Sequence, residues 1–530
     1  MTYPEWFERY SLLTPSERVE LGKKIRELAH QPLISVILPI YNGQLKFIDE
    51  AITSIRKQIY ENWEICLVDD ASTDSRIRPF LEDLAGGHPR INLHFREENG
   101  HISACSNSAL ALARGEWCAL LDQDDVLAEH AFAEVVSAIA QERELNILYS
   151  DEDFLDEQGI HSNPFFKPDW NPELFLAQNY LNHLGVYRTS LVREIGGFRE
   201  GYEGSQDYDL ALRCVARSQP HQIHHIPHLL YHWRMVKGSL ADQPDAKPYA
   251  RHAARRALNS YFAQQNIEAK SEACPQNAES HRTVYCVRKN SPFVSIITPN
   301  LKAFEDTTYP TFEVINSSAN AAAANAAAQK AQGEILLFIL RPIEAIETGC
   351  LEELVSHVVR PEVGAVGGRL WSREGLLEDG GLILGLGEVF APAFRGLPRE
   401  HPGYFNRAWL QQNLSAVSSS CLAVRRELFL GLEGFDEQNL PDQFFDVDFC
   451  LRLRERSWQV VWTPYANLIL AHSESEFLSD PASGATYLRS RWQNELRQDP
   501  YYNRNLSLNL PGFTLALPPR THQSQVARTR

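Results

Sequence analysis

Short apolar runs that end in polar residues alternate with helical segments in the first half of the chain. The runs ISVILPIYN (34–42), WEICLVDDAS (63–72) and EWCALLDQDD (116–125) each close on polar side chains. Helical spacing or an alanine-rich composition marks the segments 47–60 and 99–115 between them. This strand–helix–strand–helix–strand order predicts an α/β fold, with a mostly parallel sheet flanked by helices.

Two further helical patterns frame this first domain. Residues 14–29 (TPSERVELGKKIRELA) begin with a helix N-cap signal, and a second helix is predicted at about 246–265. We therefore expect an N-terminal helical segment over residues 1–30 and an α/β domain over residues 31–267.

Pieces of the same pattern recur in the same order in the second half of the chain. The pairs are ISVILPIYN and VSIITPN, ARGEWCALL and AQGEILLFI, IGGFRE and LEGFDE, and SQDYDLALR and FFDVDFCLR. Such ordered self-similarity predicts two tandem copies of one α/β domain. We place the second copy at 292–500, a polar linker at 268–291 and a C-terminal tail at 501–530, flexible from about residue 513.

Composition restricts the classes of function. At 530 residues the chain exceeds one ordinary core, and its net charge of −17 argues against a nucleic-acid partner. The nine cysteines contain no CxxC pair, which is typical of reduced thiols. We find no signal-peptide pattern and no apolar run of about 18 residues. These features predict a cytoplasmic protein that could contact the inner membrane only peripherally.

Three strand ends carry polar side chains toward one rim of the predicted sheet. They supply Tyr41 with Asn42, Asp69 with Asp70, and the acidic run 122–125. Ligands of open α/β sheets bind beyond the carboxyl ends of the strands. Carboxylate oxygens suit Mg²⁺ or Mn²⁺ shared with a substrate phosphate, whereas the alternative is a capped turn that opens the next helix. We favour a metal–phosphate site.

The segment SQDYDLALR (205–213) offers a candidate general base. Asp207 and Asp209 lie near the start of a predicted helix, where the helix dipole favours negative charge. That explanation suffices for Asp209. Asp207 follows a loop rich in glycine and tyrosine that is suited to lining a cleft, so it is the candidate base.

Two other segments leave alternatives open. HHIPHLLYHWR (224–234) holds four histidines but no zinc-binding motif, so solvation or packing explains most of them. His232 is the candidate third metal ligand, and Arg234 could meet a diphosphate. The aromatic residues of FFKPDWNPELF (165–175) suit sugar stacking and core packing equally.

The combined motifs resemble bacterial family 2 glycosyltransferases with the GT-A fold. They are VILPIYN, LVDDASTD, ENGHISACSNSALALARGEWCALLDQDD, YSDEDFLDEQG, FFKPDWNPELFLAQNYLNHLGVYR, GGFREGYEGSQDYDLALR and LYHWR. More narrowly, the chain is similar to two-domain members of polysaccharide clusters of the O-antigen, capsule or rhamnan type. The resemblance is close over about 1–265, and clear but damaged over 292–500.

This resemblance implies a metal-dependent hexosyl or deoxyhexosyl transferase. It would move a sugar, with inversion, from a nucleotide-diphosphate sugar to a glycan or lipid-linked glycan acceptor. Mn²⁺ or Mg²⁺ would be the cofactor, and other polysaccharide-assembly enzymes are conceivable partners.

Site residues follow from the matching positions together with the residue patterns. Asp207 is the expected base, and its usual Glu neighbour is Gln206 in this chain. Expected metal ligands are Asp122, Asp124 and His232. The donor is expected to contact Tyr41, Asn42, Asp69, Asp70, Asn99, Gly100, Asn107, Asp122, Gln123, Asp124 and Arg234, and the acceptor Lys167, Trp170 and Gln206.

The second copy lacks the acidic motif. Leu340, Pro342 and Ile343 stand where the first copy has Asp122, Asp124 and Asp125, and INSSAN replaces VDDAS. Asp446, Asp448 and His472 persist at the late positions. We therefore expect this copy to be structural or acceptor-binding. A bifunctional transferase, a non-catalytic scaffold and a nucleotidyltransferase are the alternatives.

Overall fold

The computed structural model divides the chain into two compact units. It describes residues 1–235, 248–286, 291–304, 307–387, 389–471 and 482–521. Unit 1 comprises Met1–Trp170, Asn179–Ile267 and the C-terminal residues from Leu517, and unit 2 comprises Asn171–Gln178 and Glu268–Ala516. No helix among the described residues is long and apolar enough to cross a membrane.

The helices and strands are numbered in chain order. The helices are α1 Tyr3–Tyr10, α2 Pro15–Arg26, α3 Leu45–Arg56, α4 Ile77–Gly86, α5 His101–Leu112, α6 Ala131–Gln141, α7 Pro172–Ala177, α8 Thr189–Glu194, α9 Gln206–Val215, α10 Pro248–Gln264, α11 Ala321–Lys330, α12 Cys350–Val358, α13 Arg426–Gly431, α14 Phe445–Glu455, α15 Ala482–Arg491 and α16 Gln493–Arg497. The strands are β1 Ile34–Ile40, β2 Trp63–Asp69, β3 Ile91–Phe95, β4 Trp117–Leu120, β5 Val126–Leu127, β6 Ile147–Leu155, β7 His161–Phe165, β8 Gly185–Arg188, β9 Ile223–Arg234, β10 Ala269–Cys274, β11 Asn277–Tyr285, β12 Val294–Thr298, β13 Phe312–Asn316, β14 Ile335–Phe338, β15 Ile343–Ile346, β16 Val363–Trp371, β17 Leu377–Asp379, β18 Leu382–Leu384, β19 Phe390–Pro392, β20 Gln412–Asn413, β21 Leu422–Arg425 and β22 Gln459–Leu470.

Unit 1 is built on one mixed sheet. Its strand order is β3-β2-β1-β4-β8-β6-β9-β5, with β7 paired to β6. Strands β1 to β4 are parallel, while β8 runs antiparallel to both β4 and β6. The residues just before β8 therefore lie at the same rim as the carboxyl ends of β1, β2 and β4, and this rim positions the site.

Apolar faces on the helices cover this sheet. In α3 the buried apolar residues are Phe47, Ile48, Ala51, Ile52 and Ile55, which form one stripe at helical spacing. Strands β1, β2 and β4 are mostly apolar and buried, as expected of parallel strands that helices cover on both faces. Each predicted element of this region is present, with ends that differ from the prediction by a few residues.

Unit 2 repeats this strand order. Its sheet runs β13-β12-β14-β21-β16-β22-β15, which matches β2-β1-β4-β8-β6-β9-β5 of unit 1. The prediction of tandem α/β domains is therefore confirmed. Counterparts of α4 and β3 are absent from the described part of unit 2, where only four residues separate β13 from α11. The second copy is thus reduced on the side that carries the acidic loop after β2 in unit 1.

A buried hydrogen-bond network recurs in both units. The Ser35 hydroxyl donates to Glu64 at 2.7 Å and accepts from the Gly115 amide at 2.8 Å. In unit 2, Ser295 donates to Glu313 at 2.6 Å and accepts from Gly333 at 2.8 Å. The network links β1 and β2 to the residue before β4 in unit 1, and β12 and β13 to the residue before β14 in unit 2, which supports a common origin.

Two predictions about connecting segments need correction. The predicted linker 268–291 contains the antiparallel hairpin β10–β11, whose Thr283 amide donates to the buried side chain of Gln411 in unit 2. The predicted flexible tail is folded through residue 516, since Tyr502 is buried and Phe513 stacks on Phe394 with centroids 4.9 Å apart. Both segments are mostly polar in composition, so the folded structure was needed to reveal a backbone-to-glutamine bond in one and an aromatic stack in the other. Residues 522–530 lie outside the described part.

Candidate active site

Two carboxylates follow β2 and serve different purposes. Asp70 is buried, forms an ion pair with Arg96 at 2.7 Å and accepts from the Gly100 amide at 3.0 Å. Asp69 accepts from the Ser72 amide at 3.1 Å, and its other carboxylate oxygen is buried without a hydrogen-bond partner among the described residues. Asp70 thus organises the loop before α5, and Asp69 fixes the turn to Ser72 at the end of β2.

The polar residues after β1 are held by the neighbouring loops. The Tyr41 amide donates to Gln123 Oε1 at 2.9 Å, and the Tyr41 side chain is 45% exposed. Asn42 Oδ1 accepts from the amides of Thr73 and Asp74 at 2.9 and 3.2 Å. The predicted donor-binding residues therefore lie on a rim whose three loops fix one another, with the Tyr41 ring facing outward.

Asn99 and Gly100 join the same rim. Asn99 donates from its side-chain amide to the backbone carbonyl of Asp70 at 3.1 Å. The Gly100 backbone packs so closely against Arg96 that an added Cβ would lie 2.4 Å from the Arg96 guanidinium. A bulkier residue would therefore displace the arginine that pairs with Asp70.

Asn107, also predicted to contact the donor, has a different role. Its amide accepts from the Phe198 amide and donates to the Phe198 carbonyl, both at 2.8 Å. In unit 2, Asn325 clamps Phe435 through the same two bonds at 2.9 Å. Because the clamp persists in the copy without the acidic motif, it ties the helix to the turn before the next helical segment. We correct the donor-binding prediction for Asn107 accordingly.

The acidic motif forms a cluster with a histidine. Asp122, Asp125 and His183 each offer a ligand atom, and these atoms lie within 4.8 Å of one another. Two carboxylates and an imidazole fit a divalent cation of the Mn²⁺ or Mg²⁺ type. Burial, together with the charges of Asp124 and Asp122, raises the pKa of Asp125 well above its usual range. A cation would offset this repulsion.

A chain of buried groups positions His183. Its Nδ1 lies 3.1 Å from Glu152 Oε2, and Glu152 pairs with Lys167 at 3.0 Å. Burial alone would lower the pKa of His183, but the carboxylates of Glu152 and Asp125 raise it overall. With Nδ1 engaged by Glu152, Nε2 is the nitrogen that can face a cation.

The predicted metal ligands Asp122, Asp124 and His232 do not form such a group. His232 Nδ1 lies 2.6 Å from Asp153 Oδ1, and these two residues form a separate cluster with His161. Neighbouring residues of a strand point to opposite faces, and it is the preceding Tyr231 that donates to Asp125. The prediction for His232 is therefore corrected, since its side chain points away from the rim.

Asp207 lines a small cavity together with part of this cluster. The cavity has a volume of about 60 Å³ and is lined by Asp122, His183, Gln206, Asp207 and Tyr231 among others. Asn179 donates to Asp207 Oδ2 at 2.8 Å. Burial raises the pKa of Asp207, although His183 and backbone amides at the start of α9 partly oppose this rise. A carboxylate with a raised pKa is a stronger base when it is ionised.

Two cationic side chains predicted to touch substrate are internal supports. Lys167 is fully buried and donates to the carbonyls of Asn182 and His183 at 2.6 and 2.8 Å. Arg234 pairs with Glu50 at 2.6 Å and donates to the Asp124 carbonyl at 2.7 Å. Both predictions are therefore corrected, because these residues hold the loops that carry the cluster.

Of the other two residues predicted to bind the acceptor, only one lines the cavity. Gln206 lines the cavity, and its Oε1 accepts from the Gly204 amide at 2.8 Å. Trp170 is half-buried and is not among the described residues that line the cavity.

Sequence reasoning missed His183, Tyr231 and Asn179. A signal existed for His183, since NYLNHLGVY places it two residues before a strand. Recognising it required the knowledge that β8 runs antiparallel to β4, which brings the start of β8 to the ligand rim.

In unit 2 the positions of the acidic motif are apolar. Leu340 and Ile343 are buried where the first copy carries Asp122 and Asp125. Asp446, the counterpart of Asp207, accepts from the backbone amides of Ser419 and Val447 at 2.7 and 2.9 Å. His472 lies outside the described residues.

Comparisons with known proteins identify sequences that are similar to this chain. Residues 35–196 match the family model described as Glycosyl transferase family 2. The chain is 39% identical to "Uncharacterized protein y4gI" of Sinorhizobium fredii, over 94% of this chain and 60% of that protein. It is 33% identical to "O-antigen biosynthesis protein RfbC" of Myxococcus xanthus, over 99% of this chain and 44% of that protein. The chain thus spans about half the length of these curated relatives.

Among solved structures, S. aureus TarS 1–349 in complex with UDP is similar with a TM-score of 0.33. The similarity covers 43% of this chain and 72% of that chain at 20% identity. The family model, which matches the residues that carry β1, β2, β4 and the acidic motif, confirms the resemblance predicted from the motifs. The chain therefore contains a glycosyl transferase family 2 domain, at residues 35–196.

Proposed function

We propose that unit 1 transfers a sugar from a nucleotide-diphosphate sugar to a hydroxyl of a glycan or lipid-linked glycan, with inversion. The family 2 domain and the similarity to an O-antigen biosynthesis protein support a role in surface polysaccharide synthesis. A lipid-linked acceptor would bring the protein to the cytoplasmic face of the inner membrane.

One observation carries the proposal. The same cavity is lined by Asp122 and His183 of the cation cluster and by Asp207. A leaving diphosphate and an attacking hydroxyl must meet at one sugar carbon, so a transferase needs both kinds of group around one space. We assign the nucleoside to the adjoining rim formed by Tyr41 and Asp69.

The proposed chemistry separates into two roles. A divalent cation held by Asp122, Asp125 and His183 would offset the charge that develops on the departing diphosphate. Asp207 accepts the proton of the acceptor hydroxyl. The hydroxyl oxygen then attacks the anomeric carbon from the face opposite to the departing diphosphate. Asn179 keeps one oxygen of Asp207 in place. Lys167 and Glu152 hold the loop that presents His183.

For unit 2 we propose a non-catalytic role. Both carboxylate oxygens of Asp446 accept backbone amides, and buried apolar residues replace the acidic motif. With Leu340 and Ile343 at the positions of Asp122 and Asp125, unit 2 lacks the carboxylates that would hold a cation against a departing diphosphate.

A panel of nucleotide sugars with Mn²⁺ tests the proposal. The full chain is incubated with each donor, and the release of nucleoside diphosphate is measured. Because the acceptor is unidentified, hydrolysis of the donor by water counts as turnover. Asp207→Asn should keep donor affinity but lower turnover by about 10²–10⁴-fold, because it removes the base. A normal rate for this variant would remove Asp207 as the base.

Asp446→Asn is the matched control, since it makes the same change at the equivalent position of unit 2. It should leave turnover unchanged. Loss of one product with another retained would instead indicate a bifunctional transferase. Release of pyrophosphate would indicate a nucleotidyltransferase, and silence across the panel would favour a scaffold.

A further inference from the structure

Unit 2 contains a cavity of about 230 Å³ lined by three arginines. It is separate from the position that corresponds to the active site of unit 1. The residues that define it are Arg282, Arg369, Arg399, Glu347, Trp371 and Tyr465. The positive charge is notable because the chain as a whole carries a net charge of −17.

Arg369 supplies a buried positive charge without a carboxylate partner. Its side chain is 5% exposed, and the guanidinium donates to the Ala408 carbonyl. Its Nε is buried without a hydrogen-bond partner, and it forms no ion pair among the described residues. Burial and the neighbouring Arg399 lower the pKa of Arg369 to about 10. A buried cation without a counter-ion is strongly unfavourable, so the site is suited to an anion.

The other two arginines have carboxylate partners, and all three arginines lie over aromatic rings. Arg282 pairs with Glu353 at 2.7 Å and lies 4.1 Å from the centroid of the Tyr465 ring. Its Nε is also buried without a hydrogen-bond partner. The second, Arg399, pairs with Glu347 at 2.8 Å and lies 4.7 Å from the centroid of Trp371. The carboxylates of Glu353 and Glu347 thus pair with two of the three guanidinium groups, and one positive charge remains in excess.

We propose that this cavity of unit 2 binds an oxyanion, the phosphate or carboxylate group of a small ligand. Guanidinium groups bind both through paired N–H donors, and aromatic rings hold such groups in place. The volume is below that of a pocket for a drug-sized molecule, so it suits a single anionic group with at most one sugar ring. This inference does not depend on glycosyl transfer by unit 1.

Isothermal titration calorimetry on the full chain tests the proposal. The probes are inorganic phosphate, glucose 1-phosphate and glucuronate, with glucose as the neutral comparison. Protein and buffers are first freed of divalent cations on a chelating resin, so that no cation supports phosphate binding at the acidic cluster of unit 1 and no soluble carboxylate chelator competes for the cavity. At least one anionic probe should bind saturably and glucose should not. If inorganic phosphate and glucose 1-phosphate bind and glucuronate does not, the anionic group is a phosphate. If only glucuronate binds, the group is a carboxylate.

Arg369→Gln should weaken the binding of that probe by about tenfold or more, since it removes a charge-assisted donor. Arg399→Gln, at the exposed edge of the cavity, should weaken it less and keeps the test informative if the first variant does not fold. The matched control is Arg373→Gln, an exposed arginine that pairs with Glu344 at 2.7 Å outside the cavity. Unchanged affinity in both cavity variants, or no saturable binding of any anionic probe, would overturn the proposal.

Discussion

Replacing Glu353 by Gln tests how the buried charges of unit 2 contribute to its stability. Glu353 lies in α12 and is 7% exposed. It pairs with Arg282 at 2.7 Å and accepts from the Thr463 hydroxyl at 2.6 Å and from Gln411 at 3.2 Å. His357 Nε2 lies 3.2 Å from the same carboxylate. One buried carboxylate thus joins α12 to β11, β22 and the loop before β20.

The pKa of this group sets the magnitude of the effect. Burial alone would raise the pKa of Glu353, but the bonds and charges of His357 and Arg282 lower it from 4.5 to about 2. A change of that size corresponds to roughly 3 kcal/mol. Because the pKa is lower in the folded state, this stability is complete above about pH 4.5 and is lost as the pH falls toward 2.

Urea-dependent hydrogen exchange, read on peptides from α12 and β22, measures the opening free energy of unit 2 alone. A unit-specific probe is needed because two-domain chains need not unfold in one step. At pH 7 the Glu353→Gln variant should lose roughly 3 kcal/mol. The difference from the unmodified protein should shrink between pH 4.5 and 2. Glu344→Gln, which changes an exposed carboxylate, serves as control. A constant difference at all pH values would refute the reasoning.

Two further predictions concern unit 1. His183→Ala should abolish Mn²⁺-dependent donor binding in calorimetry, whereas His232→Ala should largely retain it, because only His183 lies in the cluster with the acidic motif. Loss of binding in His232→Ala but not in His183→Ala would restore the ligand set expected from the sequence. Gly197→Ala should destabilise unit 1 clearly more than Gly196→Ala by thermal unfolding. Both glycines have positive φ, but only at Gly197 would the added Cβ meet a side chain, 2.4 Å from Asn107 Oδ1. Equal melting temperatures would show that this contact is tolerated.

Local pattern was sufficient for the elements and for the rim. The apolar runs that became β1, β2 and β4 are recognisable because most positions of a strand buried on both faces are apolar. Since parallel strands end at one edge, Asp69 and Asp122 could be placed near each other without any tertiary information. The repeat was readable for the same reason, as both copies preserve the spacing of buried positions.

Motif position was a weaker guide to what each polar side chain does. The expected position near the site is correct for Lys167, Arg234 and Asn107. Each of them, however, forms hydrogen bonds with backbone groups of the neighbouring loops. A polar side chain that holds a loop and one that holds a ligand look alike in sequence. The difference depends on which groups fold opposite it.

By itself the sequence determined the two α/β copies, the acidic rim in the first copy and the loss of that rim in the second. These features depend on periodicity and composition, which are local. Only the tertiary structure decided that His183 rather than His232 joins Asp122, and that three distant arginines of unit 2 surround one cavity. Those groupings depend on strand direction and on which face each side chain occupies, and both are set by packing between segments far apart in the chain.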